Sequence, residues 1–177
     1  MSKPYVVNIP SYYKPYVNLV DSDDPIQALK EDLASIKNYL GSISNSQASF
    51  SYEPKKWSIK QVIQHMIDAE TIFAYRALRF ARKDRTELSS FDDNHYAEQA
   101  KVEHLNIEDL VDHFEQCRKS SILLFKSFTQ ESLPREGISS GFVFSVGSMA
   151  FIMAGHVKHH IAVLKERYTS HPEFPSS

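Results

Sequence analysis

Helical period dominates the apolar positions of this chain, and β-branched residues nowhere alternate in long runs. The first helix opens at Asp24. "DDPIQ" offers Asp24 as N-cap, Pro25 at the first helical position and Gln27 reaching back toward the cap. Ile26, Leu29, Leu33, Ile36 and Leu40 then recur at three and four, and Gly41 marks a stop. A polar loop follows. The second helix opens at "WSIKQ", where Ser58 and Gln61 form a capping box and Trp57 stands in the staple position. Its buried stripe reads Ile59, Val62, Met66, Ala69, Phe73, Ala77 and Phe80, fading at "ARKDR", where basic residues suit a helix C-terminus.

Residues 84–105 are polar and mixed, a connection long enough to suggest a functional loop. A third helix starts at Asn106, with Ile107, Leu110, Val111, Phe114, Leu123, Leu124 and Phe128 on its apolar face. "TQESLPREGISSG" turns the chain, and a fourth helix runs from about Ser145 to Tyr168, ahead of a frayed end. These helices predict an all-α fold, a four-helix bundle with long connections. The organisation expected is an N-terminal extension over 1–23 packed on the bundle, a domain over 24–169 and a tail over 170–177. The extension carries four tyrosines, Tyr5, Tyr12, Tyr13 and Tyr16, which suit packing on the bundle or across a dimer interface.

Composition narrows the class. A chain of 177 residues fits one domain, and 42% hydrophobic with 24% charged residues is ordinary for a soluble protein. The net charge of −2 gives nucleic-acid binding no electrostatic support. "RALRFARKDR" is the one basic cluster and reads as a helix end. Cys117 has no cysteine partner for a disulfide or a zinc pair, which suits a reducing compartment. "MSKPYVVNIPSYYKPYV" lacks the apolar core of a signal peptide, and no run of about 18 apolar residues exists. A cytoplasmic protein without membrane spans is expected.

Three histidines fall within "AGHVKHHIAVL". At about 100° per residue, His160 lies roughly 40° from His156, within the stripe of Met149, Ile152, Met153 and Val163. His159 falls roughly 60° the other way, toward the rim. Imidazoles at i and i+4 stack one turn apart and can converge on one ion. A third ligand must come from another helix, and His65, flanking the stripe of the second helix, is the candidate. Three imidazoles with open positions suit zinc, nickel, copper or iron and permit catalysis. The same spacing also fits core histidines whose nitrogens are hydrogen-bonded, and spacing alone does not choose. His95, His104, His113 and His171 stand in polar contexts that suit solvation.

"WSIKQVIQHMIDAE", followed about 90 residues later by "GHVKHHIAVL", resembles the DinB/YfiT-like superfamily of four-helix metalloproteins. "FDDNHY" and "NIEDLVDHFEQCRKS" look like that family's loop and third helix, so the resemblance covers roughly residues 25–168. It implies a divalent transition metal, with zinc or nickel expected, held by His65, His156 and His160. It also implies a small-molecule substrate, enzymes that use a low-molecular-weight thiol or a hydrolytic water, and homodimers. The functional reading is a metal-dependent hydrolase or thiol S-transferase acting on a small electrophile. The reading from another class is a non-catalytic helical dimerisation module with a structural or vestigial metal, which would show four protein ligands and no open face.

Asp92, Asp93 and His95 in the long loop are the candidates for proton transfer, with Tyr96 as a substrate hydrogen-bonding group. Asp68, one turn after His65, is a candidate orienting carboxylate, and Arg76 a candidate anion contact. Solvated surface charges would give the same pattern. Cys117 reads as a small apolar residue.

Overall fold

The computed structural model describes residues 3–6 and 9–176. Met1, Ser2, Val7, Asn8 and Ser177, which fall within the expected extension and tail, lie outside the described residues. The chain is helical: α1 (Lys14–Asn18), α2 (Pro25–Lys30), α3 (Leu33–Gly41), α4 (Asn45–Ala48), α5 (Ile59–Ala81), α6 (Asp93–Gln99), α7 (Ile107–Lys126) and α8 (Val146–Val163). A π-helical turn, Leu164–Thr169, extends α8. One hairpin joins α7 to α8, with β1 (Glu136–Ser139) antiparallel to β2 (Phe142–Ser145). The bundle consists of α5, α7, α8 and the broken pair α2/α3. Among the described residues no helix is long and apolar enough to cross a membrane.

The expected first helix is two helices. Asp24 does cap α2, its carboxylate accepting the Gln27 N–H at 2.6 Å. The chain then leaves helical geometry at Glu31 (ψ 135°) and turns through a left-handed Asp32 (φ 59°). The break is held from outside. The Glu31 carboxylate accepts the Ser22 N–H at 2.9 Å and pairs with Lys158 of α8 at 3.1 Å, while Asp32 meets Lys158 at 3.2 Å.

Other expectations also change. The polar loop after Gly41 contains α4, with its own Ser44–Gln47 capping box. The long connection contains α6 and a 3-10 turn, Val102–His104. The turn before α8 is a hairpin closed by Ser140 (φ 57°) and Gly141 (φ 76°), the two positive angles that a tight primed turn requires. Leu88 bridges to Ser139 in parallel fashion and so fastens the α5–α6 connection to this hairpin. On α7, Leu123 points into solvent, and Ile122 and Phe125 take the core positions. The tail is packed, not frayed: Phe174 lies edge-on to Phe50 with centroids 5.5 Å apart, and Gln47 donates to the Pro175 carbonyl at 2.8 Å.

Two apolar clusters fill the bundle, one built around Phe73, Phe80, Phe125 and Phe151, the other around Ile63, Met66, Phe114 and Ile161. The helices also share a buried ion pair, between Glu70 of α5 and Arg118 of α7. Arg118 donates to both Glu70 carboxylate oxygens, at 2.9 and 2.8 Å, to the Leu29 carbonyl at 3.2 Å and to the Met153 carbonyl at 3.3 Å. One guanidinium therefore ties α2, α5, α7 and α8 together.

Candidate metal centre

The centre is built from two helix starts. At the head of α5, the Ser58 hydroxyl accepts the Gln61 N–H at 3.3 Å, and the Gln61 side chain accepts the Ser58 N–H at 2.9 Å. This capping box begins the helix at Ile59 and so places His65 two turns along, on the flank of the buried Val62–Met66–Ala69 stripe. α8 starts at Ser145, whose hydroxyl accepts the Ser148 N–H at 3.0 Å. From that start, helical pitch stacks His156 and His160 one turn apart, facing α5.

The three rings meet tip to tip. His65 Nε2 and His156 Nε2 are 3.0 Å apart, as are His160 Nε2 and His156 Nε2. All three ligand atoms fall within 4.8 Å of one another. His156 and His65 are buried and His160 is partly buried. Burial sets their protonation. It lowers the pKa of His65 to about 4, against a small opposing pull from Asp68. His160 falls to about 3 through burial, with His65 and His159 adding to it. His156 lies well below the ordinary value through burial and then through His160, His65, His159 and Arg118. All three are therefore neutral imidazoles at neutral pH, the form that ligates metals.

The donor set fits a divalent ion. A neutral imidazole nitrogen carries either one proton or one lone pair, so His156 Nε2 makes only one good hydrogen bond to its two neighbours. A shared cation satisfies all three nitrogens at once. Nitrogens bound to one ion at about 2.0–2.1 Å lie roughly 3 Å apart, the spacing that His65 and His160 each make with His156.

Two cavities open onto the triad. The first, about 220 Å³, is reached by His65 and His156 and is walled by Tyr12, Tyr13, Tyr16, Phe73, Arg76, Phe91, Asp93 and Ser140. The α1 arm forms one wall, with the Tyr16 ring edge-on to His156 at 5.5 Å. Gly155 permits this docking, since a Cβ there would overlap the Tyr16 backbone carbonyl. The second, about 340 Å³, is reached by His159 and His160 and is walled by Tyr52, Lys55, Lys56, Trp57, Asn94, Arg167 and Tyr168.

The structure separates the three proton-transfer candidates. Asp92 caps α6, its carboxylate accepting the Asn94 and His95 N–H groups at 2.9 and 3.0 Å. His95 is exposed and lines neither cavity. Asp93 lines the first cavity, where burial and then Asp92 raise its carboxyl pKa while Arg76 opposes them. Arg76 lines the same cavity and donates to the Ser89 carbonyl at 2.9 Å, holding the loop that leads to Asp93 at the start of α6. Tyr96 is exposed, its ring tilted against Phe91 with centroids 5.2 Å apart.

Asp68 accepts from Gln64 at 2.8 Å and reaches His65 only through its charge. His159 is partly buried and flanks the triad, its ring 5.1 Å from His160 and 5.2 Å from Tyr16. Burial and then the Arg167 charge lower its pKa. His104 and His113 are exposed, whereas His171 is partly buried against Phe50. Cys117 is half-buried beside Thr71. Sequence reasoning missed Tyr13, Tyr16 and the whole second cavity. The tyrosine-rich arm was the available signal for the first two.

Known proteins share this fold. The structure matches YfiT from Bacillus subtilis, described as "a probable metal-dependent hydrolase with an unusual four-helix bundle topology", with a TM-score of 0.71 over 93% of this chain and 90% of that one at 17% identity. It also matches the mycothiol-dependent maleylpyruvate isomerase, with a TM-score of 0.66 over 85% of this chain and 63% of that one at 11% identity. Two Oceanobacillus iheyensis proteins, each named "Putative metal-dependent hydrolase", are similar in sequence. One is 29% identical over 75% of this chain and 77% of its own length, the other 25% identical over 79% and 85%. The DinB superfamily model matches residues 28–164, a span that holds α5, α7, α8 and the triad, and the chain belongs to that superfamily.

Proposed function

We propose that the protein is a metal-dependent hydrolase of small molecules, with His65, His156 and His160 as neutral ligands of one divalent ion, zinc or nickel. The observation that carries this reading is the convergence of three imidazole nitrogens beside two open cavities, one lined by His65 and His156 and the other by His160. Three protein ligands with an open face suit catalysis, whereas a structural ion would recruit a fourth. Such an ion supplies Lewis acidity and brings the pKa of a water, or of a small thiol, toward neutrality.

The chain's own groups supply the rest. Asp93 receives the proton that the nucleophile gives up, its raised carboxyl pKa moving toward the range useful to a general base. Arg76 holds the loop that leads to Asp93 and faces the negative charge that develops on substrate. Burial keeps the Tyr13 and Tyr16 phenols protonated, so they serve as donors while their rings exclude water. Residues 24–169 form the catalytic unit, and the arm before it completes the first cavity.

The test is metal content by mass spectrometry on native-purified protein and on His65→Ala and His160→Ala variants. A near-stoichiometric ion lost in both variants is expected. An ion retained without His65, or none after reconstitution, would overturn the triad. Ester, amide and thiol-transfer substrates are then screened. Asp93→Asn should lower turnover about 10²-fold or more with the ion retained.

A further inference from the structure

The two cavities differ in charge. In the first, Arg76 faces Asp93. In the second, the charged walls are Lys55, Lys56 and Arg167, and among the described residues no carboxylate lines it. These cations come from two separate segments. Lys55 and Lys56 stand in the turn before α5, where Lys55 takes a left-handed conformation (φ 68°). Arg167 stands in the π-helical turn that ends α8, its guanidinium 6.0 Å from the centre of the Tyr52 ring. The two segments are fastened together, because the Tyr168 hydroxyl donates to the Trp57 carbonyl at 2.9 Å. Tyr52, in the cleft wall, is the main partner of Arg167, and Glu166 and Glu53 act on it more weakly from outside the cleft.

Lys55, Lys56 and Arg167 are exposed and stand at the rim, and cations around a concave, partly apolar cleft raise the positive potential there. Carboxylate and phosphate groups answer it with charge-assisted hydrogen bonds, and arginine offers a bidentate fork. The aromatic walls and a volume of about 340 Å³ suit a small molecule. His160 lies in the wall of the same cleft.

We propose that this cleft binds the acidic end, carboxylate or phosphate, of a small molecule whose other end reaches the triad past His160. The assignment rests on the reading of the triad as a metal centre only for what the far end meets. The anion subsite stands on Lys55, Lys56 and Arg167 alone.

The cleft contains its own reporter, since Trp57 is the single tryptophan of the chain. Its fluorescence is followed while succinate, inorganic phosphate or the neutral succinamide is added at constant ionic strength, with and without a metal chelator. A saturable response to succinate or phosphate is expected, with none to succinamide, and the stronger of the two anions identifies the group recognised. Lys55→Gln/Lys56→Gln and Arg167→Gln should each weaken the response about tenfold, the scale of one charge-assisted bond, with metal content unchanged. No saturable anion response, or responses undiminished in both variants, overturns the subsite. The two readings fail separately. An ion present without an anion response removes the cleft assignment only, whereas an anion response in protein that takes up no ion removes the metal reading only.

Discussion

Replacing Arg118 by methionine strands a carboxylate in the centre of the bundle. The Glu70 and Arg118 side chains are 1% and 2% exposed, so neither charge has water to fall back on. Removing one partner of such a pair costs about 3–5 kcal/mol, because the remaining charge is left buried and uncompensated. A domain with a total stability of about 5–15 kcal/mol then loses a large part of it. At roughly 2–4 °C per kcal/mol for this size, the melting temperature should fall by about 6–20 °C. The double variant Glu70→Leu/Arg118→Met removes both charges and should recover about 2 kcal/mol or more of that loss. Full recovery is not expected, since the Leu29 carbonyl at the end of α2 also loses its donor, at about 1–3 kcal/mol for a group left unsatisfied, whereas the Met153 carbonyl, inside α8, keeps its helical partner. The assay is urea unfolding of the wild type, both single variants and the double, read as a double-mutant cycle. A coupling energy near zero, with Arg118→Met no less stable than the double variant, would refute the view that this pair joins the helices as a unit.

Gly155→Ala should push the α1 arm off α8, because the new Cβ would meet the Tyr16 backbone. Val17 and Val20 are buried by the arm's docking at about 1.5–3 kcal/mol each. The helix gains about 1 kcal/mol from alanine, so thermal unfolding should report a net loss of about 2–5 kcal/mol. Gly41→Ala, with open space around its Cβ, is the control and should not destabilise. A Gly155→Ala protein as stable as wild type would show that the arm is not seated there.

Acid should destabilise the metal-free protein early. An unfolded histidine titrates near 6.5, whereas folded His65 and His160 titrate near 4 and 3. Between those limits the unfolded chain binds more protons, so stability is full above about pH 6.5 and falls as pH drops, by about 1.4 kcal/mol per unit for each histidine. A melting temperature flat from neutral pH to pH 5 in chelator would count against buried neutral rings. Ser58→Ala should cost α5 about 1 kcal/mol by chemical denaturation, and a change within experimental error would dismiss the capping box as the anchor of that helix.

These perturbations also explain which parts of the molecule could be read from the chain. α5 and the triad were legible because their causes are local. A capping box fixes where α5 starts, and pitch then fixes where His65, His156 and His160 point. The break between α2 and α3 was not legible, because it depends on Ser22 and on Lys158, which is more than 120 residues away in sequence. Spacing turns Leu123 inward, yet it is exposed while Ile122 and Phe125 pack. The hairpin had a local signal in Ser140–Gly141, but strands of four residues give too short a pattern to separate from a turn.

The same division runs through the site. The groups suited to holding an ion sit on two long helices whose register is set within a few residues of each start. The walls that would select a substrate come from the tyrosine arm, the loop before α6, the turn before α5 and the π-helical turn after α8. None of these has a strong period of its own, and each reaches the site only when the bundle has packed. Under the proposed function, reaction chemistry and substrate choice would thus be written at different ranges in this chain. Substitutions in the walls, such as Arg167→Gln or Lys55→Gln/Lys56→Gln, should therefore alter what binds without altering whether the ion does.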